Sequence, residues 1–331
     1  MRSLELSAFG TAAVADRPDP VAAPGEVIVE VLACGLCGTD RHIFRGEYPA
    51  RLPLVMGHEF GGRITESRAP GWSVGDLVSV DPNVSCGECA DCGAGRVALC
   101  PKRYAFGVDV DGGLEQRLAV PAGQLAAIGS HVPVHHLAFV EPLACCLRGL
   151  DLAAISGGAS VAVLGGGVIG QLMVQLAAGA GAGRVTLVTR QRSRHDLALE
   201  LGATDACTPT EADDRLTRAF DMVFECAGVL DTFAQAQRLA RRGGSVILLG
   251  IPPEHAEIPV RPFTLVYDEL RIQGSFLNPL TQQRAAKLIS DGVIDVDPLT
   301  SRIIGLDEVA EALAGEPRPG EVKVVVDPSR P

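Results

Sequence analysis

Cys86, Cys89, Cys92 and Cys100 carry the most direct chemical signal in the chain. Their spacing, C-x2-C-x2-C-x7-C within the polar segment CGECADCGAGRVALC, lets one short loop gather four thiolates. Four thiolates satisfy the tetrahedral coordination that Zn2+ takes in closed structural sites. Such a metal has no open position, so it would hold a lobe together and do no chemistry. The competing reading is a disulfide pair. Against it, the start MRSLELSAFG has no basic stretch followed by an apolar run, so a cytoplasmic, reducing setting is expected. There, cysteines serve more often as metal ligands or free thiols than as bridges.

Three other segments hold metal-ligand residue types: Cys34 to His42 (CGLCGTDRH), Gly57 to Gly61 (GHEFG) and Val140 to Leu143 (VEPL). Each is punctuated by Gly or Pro, as expected of ligands delivered from loops to a shared cleft. His58 and Glu59 are neighbours, and on a regular strand they would point to opposite faces. Joint ligation needs a local bend, which Gly57 and Gly61 permit. Cys34 reads as a small core residue at the end of an apolar strand. Cys145 or Cys146 is the alternative to Glu59 as a ligand, against their use as small hydrophobes. Cys207, Cys226 and the five histidines His131, His135, His136, His195 and His255 have no partner motif, and the histidines are expected at the surface.

Gly165, Gly167 and Gly170 form G-x-G-x-x-G after the strand-like ASVAVL and at the mouth of a helical segment. In that context the first Gly makes a tight turn, the second admits a pyrophosphate, and the third lets helix pack on sheet. Val168 and Ile169 complete the helix start, whose free N–H groups suit phosphate. About twenty residues on, dinucleotide sites that take NAD place an acid for the ribose 2′-hydroxyl. This chain reads Val188-Thr189-Arg190-Gln191-Arg192-Ser193-Arg194 instead. A carboxylate would repel a 2′-phosphate and guanidiniums would grip it, so NADP is favoured over NAD. Arg190 and Arg194 are the expected phosphate ligands, Thr189 stands where the acid would be, and Arg192 points away. The competing reading is a solvated basic turn.

These residues must be positioned by two kinds of structure. The first third has β-branched runs bounded by Gly and Pro: Glu26 to Gly35, Trp72 to Pro82 and Leu114 to Pro121. The middle changes character near Leu143. From Ala159 strand-like and helix-like segments alternate (ASVAVL, GVIGQLMVQLAAGA, RVTLVT, HDLALELGA, FDMVFECAG, LDTFAQAQRLARRGG, SVILLG), which implies βαβ units on a parallel sheet. Two helical segments and a closing strand, VKVVVD, follow Asn278. The length of 331 residues fits two domains. A net charge of -11 disfavours nucleic acid and anionic membrane surfaces as partners, and no apolar run approaches a membrane span.

GLCGTD, GHEFGG, the four-cysteine lobe, GGGVIG and VEPL, in this order, resemble the zinc-dependent medium-chain dehydrogenases over essentially the whole chain. Glu59 after His58, and Glu141-Pro142, resemble the sorbitol (polyol) dehydrogenase branch. The resemblance implies an α/β protein: a GroES-like β-rich catalytic domain (1–142 with 278–331) and a Rossmann doubly wound domain (143–277). It implies two Zn2+ per chain, the catalytic one on Cys37, His58 and Glu59, with Glu141 as fourth ligand or bound through water. One thiolate and one carboxylate cancel the dication, so direct ligation by Glu141 would leave the site negative, and Glu141 is expected to leave when substrate binds. The implied activity is reversible hydride transfer between a secondary alcohol and NADP(H) or NAD(H). Thr39 and His42 would relay the proton outward, the other reading of His42 being a plain surface histidine. A tetramer or dimer is implied, with a small-molecule alcohol or ketone as partner.

Leu277 stands where polyol dehydrogenases of this branch carry Arg, and a hydrophobic side chain cannot donate to substrate hydroxyls. That shifts the expected substrate from sorbitol to a smaller or partly apolar alcohol, a cyclitol or a sugar derivative, with Phe44, Tyr48, Phe106 and Phe276 lining its pocket. Two rivals remain. A zinc-free quinone or enoyl reductase would lack Cys37, His58 and the lobe together. A non-catalytic NADPH-binding protein predicts a damaged metal site, whereas here every ligand position is filled.

Overall fold

The structure is a computed structural model that describes residues 1–330. The chain divides into two compact units, Met1–Glu141 with Pro279–Pro331, and Pro142–Asn278.

The first unit is dominated by a mainly antiparallel sheet, with one parallel pair at its end, whose central strand is Glu26–Gly35. Its alternating EVIVEVLACG buries Val27, Val29 and Val31 fully, as one face of a pleated strand requires. It pairs antiparallel with Glu59–Ser67, with Arg117–Pro121 and, at its end, with the closing strand Lys323–Val326. The register sets Gly35 opposite Glu59 on one side and opposite Val325 on the other. Val29, Val31, Phe60, Ile64 and Val78 form the core of this unit. An N-terminal hairpin, Arg2–Ala8 with Thr11–Asp16, lies in a separate three-stranded sheet. The sequence signals overreach in places: of Trp72 to Pro82 only Leu77–Val80 is strand, since Gly71 and Gly75 hold the left-handed conformations of turns.

The second unit is a six-stranded parallel sheet in the order Asp205–Cys207, Arg184–Val188, Ser160–Leu164, Phe220–Glu225, Ala240–Leu248, Arg271–Gly274. The central strand SVAVL is a continuous apolar run because helices cover both faces of a parallel sheet. ARRGG, which reads as the end of a helix, belongs to the strand Ala240–Leu248. The helix stops at Leu239, and the register beside Phe220–Glu225 shifts between Phe220 and Met222. The core gathers Leu164, Val188, Phe220, Val223 and Val246. The order of strands reverses direction beside Ser160–Leu164, the switch point at which open parallel sheets bind ligands.

Candidate functional site

Ligand atoms of Cys37, His58 and Glu59 lie within 4.8 Å of one another. Cys37 caps the helix Gly38–Arg45, and the Asp40 carboxylate accepts its backbone N–H at 2.8 Å. The other Asp40 oxygen stands 3.3 Å from His58 Nδ1 as an ion-pair contact, and neither atom has a hydrogen-bond partner. One fully buried carboxylate therefore contacts two of the three ligand-bearing residues, the arrangement by which a carboxylate fixes the orientation of a metal-binding imidazole. Burial works to lower the His58 pKa, yet Asp40 and Cys37 outweigh it and hold it well above its ordinary value. Gly57, with φ +95°, provides the bend, and the strand begins only at Glu59, so His58 lies outside the pleat that would have separated the two side chains.

Glu59 is 2% exposed and its Oε2 receives the ammonium of Lys323, which is as deeply buried. Burial would lower the Lys323 pKa, but Glu59 and Cys37 hold it above its ordinary value. Glu141 is buried in the first turn of the helix Val140–Ala153 and is not part of the 4.8 Å cluster. Cys34 is also outside it, and burial pushes its thiol well above the ordinary value. Thr39 Oγ1 lies 3.8 Å from Cys37 Sγ. His42, one helical turn on, is exposed and its Nδ1 meets Glu47 at 2.6 Å.

The second cluster takes in Cys86, Cys89, Cys92 and Cys100. Cys86 Sγ stands 4.0 Å from Cys92 Sγ and 3.5 Å from Cys100 Sγ. Bonded sulfurs would be about 2.05 Å apart, which excludes a disulfide in this geometry. Tetrahedral thiolates at a zinc radius of about 2.3 Å would be separated by roughly 3.8 Å, so the donor set fits a zinc ion. Backbone N–H groups of Cys86 and Cys92 point at Cys100 and Cys89 sulfurs, 3.4 and 3.5 Å away. The thiols titrate apart: backbone N–H groups of residues 88 and 89 lower Cys86 to about 6. Burial and neighbouring sulfurs push Cys89 up to about 11 against the Cys92 N–H.

The glycine motif opens a cleft of about 720 Å³ in the second unit, lined by Gly165, Gly167, Thr189, Arg190, Gln191 and Arg194 among others. Gly165 holds φ +108°, and a Cβ on Gly170 would overlap the Gly165 carbonyl, so both positions need glycine. Val168 and Ile169 begin the helix Val168–Gly179, for which Gly167 is the cap. Thr189 is buried just past the strand Arg184–Val188. Arg194 donates to the Gly166 carbonyl at 2.5 Å, and burial lowers its pKa. Arg192 is turned to Glu211 at 2.7 Å, while Arg190 is exposed and forms no ion pair among the described residues. On the opposite wall, fully buried Glu225 accepts the N–H groups of Ala227 and Gly228, both at 2.9 Å, and the Thr232 hydroxyl at 2.6 Å. It thereby pins the loop that lines the cleft, and burial raises its pKa.

Residues 23–130 match the alcohol dehydrogenase GroES-like domain, and residues 168–291 match the zinc-binding dehydrogenase family. The chain is 33% identical to D-altritol 5-dehydrogenase of Agrobacterium fabrum over 98% of both chains. It belongs to the zinc-type medium-chain alcohol dehydrogenases. Sorbitol dehydrogenase of Bacillus subtilis is 28% identical over 92% of this chain and 91% of its own. A crystal structure from Sinorhizobium meliloti 1021, described as a zinc-binding dehydrogenase and bound to NADP, is 42% identical with a TM-score of 0.97 over 99% of each chain. This dehydrogenase is therefore an oxidoreductase of the alcohol and polyol type, built from a GroES-like domain and a Rossmann-like parallel sheet. No helix among the described residues is long and apolar enough to cross a membrane.

Sequence reasoning passed over three residues of these sites. Asp40 was visible in CGTD, since an acid three residues after a helix cap is a capping signal. Lys323 carries no such signal, because its partner lies on a distant strand, and Glu225, though bonded to Ala227, Gly228 and Thr232 just after it, sits in FECAG with no pattern that marks it. Phe44 and Phe106, expected to line a pocket, are buried in the core of the first unit, where Phe106 packs edge-on against Phe60 and Tyr104. Tyr48 and Phe276 are exposed. His135 and His136, expected as isolated surface residues, both meet Asp297 Oδ1, at 2.9 and 2.7 Å. These bonds hold the Asp297 carboxyl below its ordinary range.

Proposed function

We propose that the chain is an NADP-dependent zinc dehydrogenase of secondary alcohols in the polyol, cyclitol or sugar-derivative class. The convergence of Cys37, His58 and Glu59 on one point carries this reading. A thiolate, an imidazole and a carboxylate suit Zn2+ and leave a position for substrate. Zinc bound there supplies Lewis-acid polarisation of an alcohol or carbonyl oxygen. The four lobe cysteines hold the second zinc of each chain, and their free thiols fit a reducing cytoplasm.

The chain's own groups divide the remaining work. Asp40 orients His58 and Cys37. Thr39 accepts the substrate proton, and His42, oriented by Glu47, carries it to solvent. Glu141 is the reserve carboxylate, reaching the metal through water. Gly165, Gly167 and Gly170 with Val168 and Ile169 seat the pyrophosphate, and Arg190 and Arg194 take the 2′-phosphate above Thr189. The NADP held by the 42% identical structure supports that preference. The polyol names of the relatives support the substrate class, while Leu277 argues against a site built only for hydroxyls. The strand Arg271–Gly274 is the sheet's outer edge, and Phe263, Val266 and Tyr267 nearby are 72%, 80% and 60% exposed. An open edge with apolar neighbours supports assembly into a dimer or tetramer of identical copies.

Metal analysis of the purified protein beside titrations with NADPH and NADH tests the core of this reading, followed by a screen of polyols and cyclitols. Two zincs per chain, tighter NADPH binding and alcohol-dependent NADPH formation are expected. One zinc per chain, or tighter NADH binding, overturns the metal or the cofactor assignment respectively.

A further inference from the structure

A fully buried lysine is uncommon, and Lys323 is 2% exposed as a residue with its ammonium on Glu59. Three strands make the arrangement possible. Gly35 lies between Glu59 and Val325 in the sheet, and the Lys323 side chain passes across it. A Cβ on Gly35 would overlap both Glu59 Oε2 and the Lys323 chain, so this glycine is the window through which the ammonium reaches the carboxylate. The groups that act electrostatically on Lys323 are Glu59, Cys37 and Asp40, and Cys34 lies in the same set. Every one of these neighbours is anionic or neutral, and Lys323 is their one lysine or arginine among them. An apolar pair of similar volume would often stabilise the fold as well or better, so a buried pair at this place calls for a reason other than stability.

We propose that Lys323 is a positioning residue for the metal-binding carboxylate: it holds Glu59 by one oxygen and so leaves the other to the metal. The inference rests on the reading that Cys37, His58 and Glu59 hold the catalytic metal. A dication with one thiolate and one carboxylate has no net charge, and the ammonium is offset by the buried Asp40 carboxylate, so its part is to place Glu59 rather than to charge the site.

The test uses the full chain with Co2+ in place of zinc at the catalytic position, comparing wild type, K323M, K323R, E59Q and E59Q/K323M. Freed from the ammonium, Glu59 is expected to bind through both oxygens. K323M should therefore change the visible cobalt spectrum and lower kcat by about 10–100-fold, with KM changed far less. K323R should restore both. In the E59Q background K323M should change neither, because its whole effect runs through Glu59. If K323M does not fold, K323L takes its place in the same comparisons. A cobalt spectrum and kcat unchanged in K323M overturn the proposal, as does an undiminished K323M effect in E59Q. A wild-type chain carrying only the lobe metal overturns the site reading and this inference with it, whereas two metals with an indifferent Lys323 overturn the inference alone.

Discussion

Arg190→Ala tests the cofactor assignment most cleanly. Arg190 lines the nucleotide cleft, is exposed, and forms no ion pair among the described residues, so its removal leaves no charge stranded. Hydrogen bonds to charged groups contribute about 1.5–3 kcal/mol, and solvent screening of an exposed pair favours the lower end. About 1.4 kcal/mol corresponds to a tenfold change in affinity. Arg190→Ala should therefore raise the Kd for NADPH about tenfold and leave that for NADH within about twofold. Arg194→Ala should weaken both cofactors, because Arg194 also braces the glycine loop through the Gly166 carbonyl. The assay is nicotinamide fluorescence titration of both cofactors at low and high salt, where the NADPH difference between wild type and Arg190→Ala should shrink. Equal changes for NADPH and NADH in Arg190→Ala, or no change in either, would refute the reading of this turn as a phosphate site.

Asp40→Asn should lower metal occupancy of the catalytic cluster or activity by about 10–100-fold while the lobe metal stays bound, which metal analysis and kcat together resolve; unchanged values would show that His58 needs no orienting carboxylate. Cys100→Ser should cost one metal per chain and make the other lobe thiols reactive toward a thiol reagent, with NADPH affinity unaltered because the nucleotide cleft lies in the other unit. Glu115 is 3% exposed, and burial with Asp111 raises its pKa to about 8 against the pull of Arg17. The unfolded chain then loses this proton near the ordinary glutamate value, 4.5, and the folded chain keeps it to about 8, so stability falls as pH rises between the two. Glu115→Gln should remove that slope and gain up to about 3 kcal/mol over wild type at pH 7 relative to pH 4.5. Urea unfolding of both proteins across this window checks it, and parallel pH curves would show that Glu115 titrates normally.

Much of this protein was legible in local sequence. The lobe cysteines lie within one short loop, so their spacing alone limits how far apart the sulfurs can be. GGGVIG lies between a strand and a helix that its own neighbours encode, and the alternation of apolar periods sets the parallel sheet. The strand Glu26–Gly35 has the bounds its residues suggest, because period-two burial and a terminal glycine are local properties. By contrast, ARRGG was misplaced because strand pairing with residues 220–225 overrides the helix that precedes it.

What only the tertiary structure decided concerns buried charge. Nothing near Lys323 in sequence calls for an acid, and nothing near Glu59 calls for a base; 264 positions separate them. Their meeting depends on the register of three strands and on a glycine between them. The same holds for His135 and His136, joined to Asp297 from a distant turn. Ligand types and glycine spacings are written into short segments because a loop or a turn is a local object. The charge paired with Glu59 comes from elsewhere in the chain, since a carboxylate buried in a low-dielectric interior needs a partner and the strand register decides which one reaches it.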